Sequence, residues 1–217
     1  MVEWIKSEGL VEFDHSLSWM EKRVSQIYTG EKPECVWLLE HPEIYTAGTS
    51  AKDSDLKDPN RFPVKKTNRG GQYTYHGPGQ RVAYVLLNLN VRGKDIKKYV
   101  HNLELWAIKT LSKYDIVGET RSGRVGIWVQ RPEQPLLSNG TIPEDKIAAI
   151  GVRLRKWVTF HGLSINFDPE LSHFDGIVPC GISEHGVTSL IDLGVKTKID
   201  ELDNNLKESF EEIFQDK

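Results

Sequence analysis

The chain has 217 residues, 38% of them hydrophobic and 27% charged, with a net charge of −3. That length and balance fit one large domain, or one domain with a small appendage, with a buried core, and exclude a disordered chain or a broad polyanion binder, so nucleic acid is not the expected partner. Two cysteines with no CxxC pair argue against a disulfide scaffold or a structural zinc site and suit a reducing compartment.

No apolar run approaches the ~18 residues of a membrane span, and the first residues, MVEWIKSEGLVEF, lack the apolar stretch of a leader; a soluble cytoplasmic protein with no membrane contact is expected. Glu3 to Phe13 reads as a strand interrupted at Gly9. Leu17, Met20, Val24 and Ile27 recur at helical spacing, which predicts a helix over 14–28 that Gly30 stops. Glu34 to Leu39 is a short apolar run, read as a buried strand in which Cys35 is a small hydrophobe. The stretch from His41 to Pro63 reads as one long polar loop, a length common in functional lids and mobile segments.

Val64 to Thr67 is read as a short strand and leads into NRGGQYTYHGPGQ, residues 68–80, with four glycines in thirteen residues. Gly70-Gly71 permits close backbone approach, and Gln72, Thr74 and His76 alternate with Tyr73 and Tyr75 along an extended segment. The choice is between a glycine-rich hairpin and a ligand-lining wall; GxxxxGK[ST] is missing and GxGxxG is incomplete. Arg81 to Leu89 is a buried strand, and Asp95 to Tyr114 is the clearest helix, with one broad apolar stripe. Gly123 to Val129 is a strand, 130–144 a Pro-rich loop, and Ile147 to Leu154 and Trp157 to Phe167 two more strands. A loop over 168–179, a short helix over 187–193 capped near Thr188, and a helix over 199–214 opened by a Thr197–Asp200 capping box complete the chain. Strands and helices mix irregularly, without the βαβ rhythm of a doubly wound fold.

Two side chains stand out for reactivity. Cys180 lies in a loop between Pro179 and Gly181, and Lys146 opens an apolar run. A thiol near its reference pKa of about 8.5 needs a neighbouring cation or base to act at neutral pH, and Lys146 and His161 are the candidates. A solvated Lys146 and a structural His161 are the competing readings. No GxSxG, HExxH or close histidine pair occurs among the seven histidines, so a serine hydrolase or metal site is not expected. Arg153 and Arg155 share a strand face, which is either solvated or a docking surface.

Taken together, RGGQYTYHGPGQ (69–80), GRVGIWV (123–129), KIAAIG (146–151), FHGLSIN (160–166), PCG (179–181) and VTSL (187–190) resemble, in order, the blocks of the lipoyl(octanoyl) transferase family. They cover most of residues 34–194, with the helix over 199–214 appended to one catalytic domain spanning 1–217. The resemblance implies a single α+β domain, a mixed, largely antiparallel sheet flanked by helices and related by fold to biotin and lipoate protein ligases. It implies that Cys180 accepts the acyl group as a thioester and that Lys146 tunes it. Arg69, Gly70, Gly71, Gln72, Tyr73, Thr74, Tyr75 and His76 match one substrate-binding wall. Ala149, Ile150 and Gly151, with Gly162, Leu163 and Ser164, match two more; His76 and His161 receive no assigned role. The Pro-rich loop before Lys146 is longer than in short-looped relatives.

The activity so implied moves an octanoyl group from octanoyl-acyl carrier protein to lysines of lipoyl domains, in 2-oxoacid dehydrogenase E2 subunits and the glycine cleavage H protein. It needs no metal or cofactor beyond the phosphopantetheine that carries the donor. Tyr73, Ile150 and Leu163 are expected to line an acyl slot, and Arg153, Arg155 and Lys156, with Arg69, to meet the acidic partners. An ATP-dependent lipoate or biotin ligase and a non-enzymatic binding module are the alternatives.

Overall fold

The computed structural model describes residues 2–178 and 185–214. Its main sheet has eight strands. Seven run in the order β1 (Glu3–Leu10), β2 (Cys35–Glu40), β6 (Gln80–Leu86), β10 (Val158–Asn166), β9 (Glu144–Arg155), β8 (Arg124–Gln130), β7 (Glu119–Arg121), and β11 (Gly186–Val187) pairs with β9. β1–β2 and β11–β9 are parallel and the other pairs antiparallel. A second sheet of three strands runs β4 (Val64–Lys66), β3 (Ile44–Ala47), β5 (Tyr73–His76). The expected mixed, largely antiparallel α+β domain is what forms.

The apolar runs of β2 and β6 are unbroken because both faces are covered. Val36, Leu38, Ala83 and Val85 meet α2 (Ile96–Ser112) and α3 (Ile199–Phe214) in the larger core, where Leu103, Trp106, Leu206 and Phe210 are buried. Cys35, Trp37, Leu39, Val82 and Tyr84 point the other way, onto Met20, Val24 and Ile27 of α1 (Phe13–Thr29). Burial pushes the Cys35 thiol up to about 12, which keeps it an inert hydrophobe. Asp95 caps α2 by accepting from the Lys98 amide at 2.9 Å.

The structure departs from the sequence reading in four places. The segment 41–63 contains β3, the central strand of the second sheet, which the polar flanks conceal. Residues 187–193 form no helix: Val187 ends β11 and turns follow, because Val187 pairs with Lys146 and the Thr188 amide donates to the Lys146 carbonyl. Thr197 donates to Glu201 at 2.9 Å while Asp200 is taken by Lys6, so no Thr197–Asp200 box forms. β1 ends at Leu10 and Phe13 already belongs to α1.

Candidate active site

A cavity of about 250 Å³ opens on the α1 face of the main sheet, closed on one side by the second sheet. Strand register builds its floor. Gly162 stands between Tyr84 and Gly151, and Ser164 between Val82 and Ala149, so these side chains share one face. Small residues on β9 and β10 leave the space; Ile150 and Leu163 border it while their side chains pack with the larger core.

Lys146 reaches this cavity by a break in the strand rhythm. Ile127 pairs with Ala148, but the next residue, Trp128, pairs with Lys146. Ile147 is therefore an extra residue, a β-bulge, and both Ile147 and Ala148 pack into the larger core. Regular alternation would set Lys146 opposite to Ala149; the bulge brings both to the cavity. Lys146 is buried, its Nζ donates to the Val125 carbonyl at 2.9 Å and lies 5.4 Å from the Trp128 ring centroid. The carboxylates beside it in sequence are held by arginines: Glu144 by Arg121 and Arg124, Asp145 by Arg131.

The wall opposite is the glycine-rich segment. Buried Arg69 donates to the Thr46 carbonyl at 2.7 Å and to Thr46 Oγ1 at 2.8 Å, and the Gly70 amide donates to the Val152 carbonyl at 2.9 Å. These bonds tie the wall to β3 and to β9. Arg69, Gly71, Gln72, Tyr73, Thr74 and His76 line the cavity; Gly70 does not, and the Tyr75 hydroxyl turns away to His173 Nδ1 at 2.8 Å. Ala149, Ile150, Gly151, Gly162, Leu163 and Ser164 all line it.

Three histidines in or beside the cavity are neutral. Gln80 donates through Nε2 to the Tyr75 carbonyl and to Asn166 Oδ1, so its Oε1 accepts from His76 Nδ1 at 2.6 Å and leaves His76 Nε2 bare. Burial holds His76 well below the ordinary histidine value. His41 donates from Nδ1 to the Val11 carbonyl and accepts the Tyr84 hydroxyl at Nε2, and burial pushes it down to about 4. His161 has φ 60, a left-handed value inside a strand, and burial, reinforced by Arg69 and Arg153, pushes it down to about 3. The lining is thus mostly apolar or uncharged, with Arg69, Arg124 and Lys146 as the cationic side chains on it.

Cys180 lies outside the described residues. On one side of it, the Val178 amide donates to the Asp55 carbonyl at 2.7 Å; on the other, Val187 pairs with Lys146. Of the four cations expected to meet acidic partners, Arg69 is buried and belongs to no surface patch. Arg153 and Arg155 both face Glu21 of α1, at 3.4 and 3.2 Å, and Lys156 Nζ lies 4.5 Å from the Tyr28 ring centroid.

Phe13, Gln80, Tyr84, Asn166, Phe174 and Val187 also line the cavity and were not singled out as site residues from sequence. Gln80 and Asn166 carry a legible signal, an amide at the edge of an apolar run; Phe13 and Phe174 carry none. Among the described residues no three His, Cys, Asp or Glu side chains converge on a metal position, and no helix is long and apolar enough to cross a membrane.

A mixed sheet with a small second sheet closing a mostly apolar cavity is the lipoate-ligase type of fold. The bi-partite lipoate protein ligase of Thermoplasma acidophilum matches it over 98% of this chain and 84% of that one, with a TM-score of 0.69 at 14% identity. The chain belongs to the family described as lipoyl protein ligase A/B catalytic domain, which matches residues 13–211. Within that family its relatives include an octanoyltransferase of Jannaschia sp. (strain CCS1), 62% identical over 214 residues and 99% of both chains. Another is an octanoyltransferase of Dinoroseobacter shibae, 59% identical over 213 residues, 98% of this chain and 97% of that one. The family expected from the motif blocks is the family found.

Proposed function

We propose that the chain is an octanoyltransferase that carries octanoyl from acyl carrier protein to lipoyl-domain lysines through a thioester on Cys180. One observation carries this reading. The cavity is mostly apolar, Lys146 lines it, and the strand that follows Cys180 is paired with Lys146. Each methylene buried there contributes about 0.8 kcal/mol, so an eight-carbon chain is held by its length.

The steps balance without an added reagent. The Cys180 thiolate attacks the donor thioester carbonyl; the bond to the phosphopantetheine sulfur breaks, and the Lys146 ammonium gives its proton to that leaving thiolate. Lys146 is then a neutral amine. It takes the proton released as the acceptor lysine, itself neutral on attack, forms the amide and expels the Cys180 thiolate. Amide formation from a thioester is downhill, so neither ATP nor a metal is invoked. The acceptors in this reading are the lipoyl domains of 2-oxoacid dehydrogenase E2 subunits and of the glycine cleavage H protein. A thiol with this role belongs in the reducing cytoplasm.

Intact mass after mixing with octanoyl-acyl carrier protein and no ATP tests the reading. One octanoyl group gained by the protein, and none by Cys180→Ser, is the expected result. Turnover that survives Cys180→Ser and requires ATP would make the chain a ligase, and no adduct under either condition would leave a binding module.

A further inference from the structure

Beyond the Lys146–Cys180 pair, and resting on that reading, we infer that Arg131 is a positioning residue: it clamps the arm that follows Cys180 onto the strand that carries Lys146. That arm is joined to β9 by a pairing of only two residues, Gly186 with Asp145 and Val187 with Lys146. A parallel pairing so short is weak by itself. Asn166 holds it from β10, its Nδ2 donating to the Thr188 carbonyl at 2.9 Å, and a guanidinium ties it to β9. Arg131 Nη1 donates to Asp145 Oδ2 at 2.8 Å, to Thr188 Oγ1 at 3.0 Å and to Asp192 Oδ2 at 3.0 Å.

Each contact lands on a different piece of the site. Asp145 precedes Lys146 on β9, Thr188 follows Val187, and Asp192 lies in the next turn, where it also accepts from Thr188 Oγ1 at 2.7 Å. The Thr188 amide donates to the Lys146 carbonyl itself. Gly186 leaves no side chain in the way, since a Cβ there would lie 2.3 Å from Asp145 Oδ1. Arg131 stands at the base of the Pro-rich loop, its amide closed onto the Pro143 carbonyl at 2.8 Å, and its side chain is 13% exposed. The clamp therefore fixes the backbone from Gly186 to Thr188 relative to Lys146, and its consequence is read at the Cys180 thiol. Partly buried bonds to a charged donor hold such a geometry far better than exposed ones.

The test is the pH profile of Cys180 alkylation by iodoacetamide, read by intact mass and peptide mapping, with buried Cys35 as the site that stays unlabelled. The wild-type midpoint is expected below the ordinary thiol value of about 8.5. Arg131→Met should raise that midpoint by about one unit, a roughly ten-fold loss of labelling at pH 7, and Arg131→Lys should recover part of it. A lowered melting temperature with an unmoved midpoint would reduce Arg131 to a structural role and overturn the inference. If Arg131→Met does not fold, Thr188→Val, which removes the hydroxyl that accepts from Arg131 and donates to Asp192, is read in the same way. An ordinary midpoint in the wild type, or one that Lys146→Met leaves unmoved, would instead sink the Lys146–Cys180 reading on which the clamp depends.

Discussion

Gly126 is a glycine because Lys146 occupies the space its side chain would need. A Cβ on Gly126 would lie 2.3 Å from Lys146 Cε and 2.9 Å from Nζ, and its φ of 125 is one that L side chains rarely adopt. Trp128, two residues on and on the same strand face, then supplies the aromatic surface beneath the ammonium. The lysine is placed by a bulge in its own strand and by a gap in the neighbouring one.

Gly126→Ala should therefore displace Lys146 while leaving the larger core, built from Ile127 and Val129, in place. Misplacement by about 1 Å costs on the order of 100-fold in rate, and the strained φ adds a stability loss of about 1–3 kcal/mol. Octanoyl transfer rate beside a urea melt checks both; transfer at the wild-type rate would mean that Lys146 tolerates the shift.

Acid should unfold the protein through its neutral histidines. His41 is pushed down to about 4 and His161 to about 3, and His76 is held well below its ordinary value, whereas all three titrate near 6.5 once unfolded. The unfolded chain binds more protons below about pH 6.5, so stability is complete above that pH. As the pH falls from there toward the folded values, stability drops by about 1.4 kcal/mol per pH unit for each histidine. Urea midpoints between pH 7 and 5 measure the slope, and His41→Gln should make it shallower by one proton; a flat profile would mean that the rings protonate without unfolding.

Arg81 and Asp203 tie the sheet to α3. Arg81 Nη2 donates to Asp203 Oδ2 at 3.2 Å, while Nε and Oδ1 approach to 2.8 Å as an ion pair that is not an aligned hydrogen bond. Both side chains are buried, so Asp203→Ala removes the nearer carboxylate and leaves Arg81 facing Glu40 at 3.8 Å, at a cost of up to about 3 kcal/mol. The pair replaced by Met and Leu should recover most of that stability in a denaturant melt. A loss under about 1 kcal/mol in Asp203→Ala would show that water reaches Arg81.

Ala149 lies on the cavity face between Lys146 and Gly151, where a larger side chain shortens the slot. Ala149→Leu should reduce kcat/KM for an octanoyl donor much more than for a butanoyl donor. Four methylenes at about 0.8 kcal/mol each correspond to roughly 200-fold in that ratio. An equal loss on both donors would place the acyl chain elsewhere.

Much of this was legible before any coordinates. The helices over α1, α2 and α3 follow from apolar residues repeating at helical spacing, and β2 and β6 from short unbroken apolar runs. β3 was hidden because Ile44 to Ala47 is only four residues long and lies between polar segments; its partners, β4 and β5, are what make it a strand. Val187, half of the two-residue β11, falls by sequence into a helix over 187–193 for the same reason. Tyr75 belonged by motif to the wall, yet alternation along β5 turns it to His173.

Sequence by itself determined the family, the α+β class and the residue types present at the site, because ordered motif blocks and hydrophobic periodicity are local properties of the chain. Only the tertiary structure decided which of those residues share a space. The bulge at Ile147 carries Lys146 to the cavity face, Gly126 vacates room for it, and Arg131 reaches from its loop to hold Asp145 and Thr188 together. Each of these depends on strand pairing between segments far apart in the chain, and register across a sheet is set by packing and hydrogen bonding that no local pattern encodes.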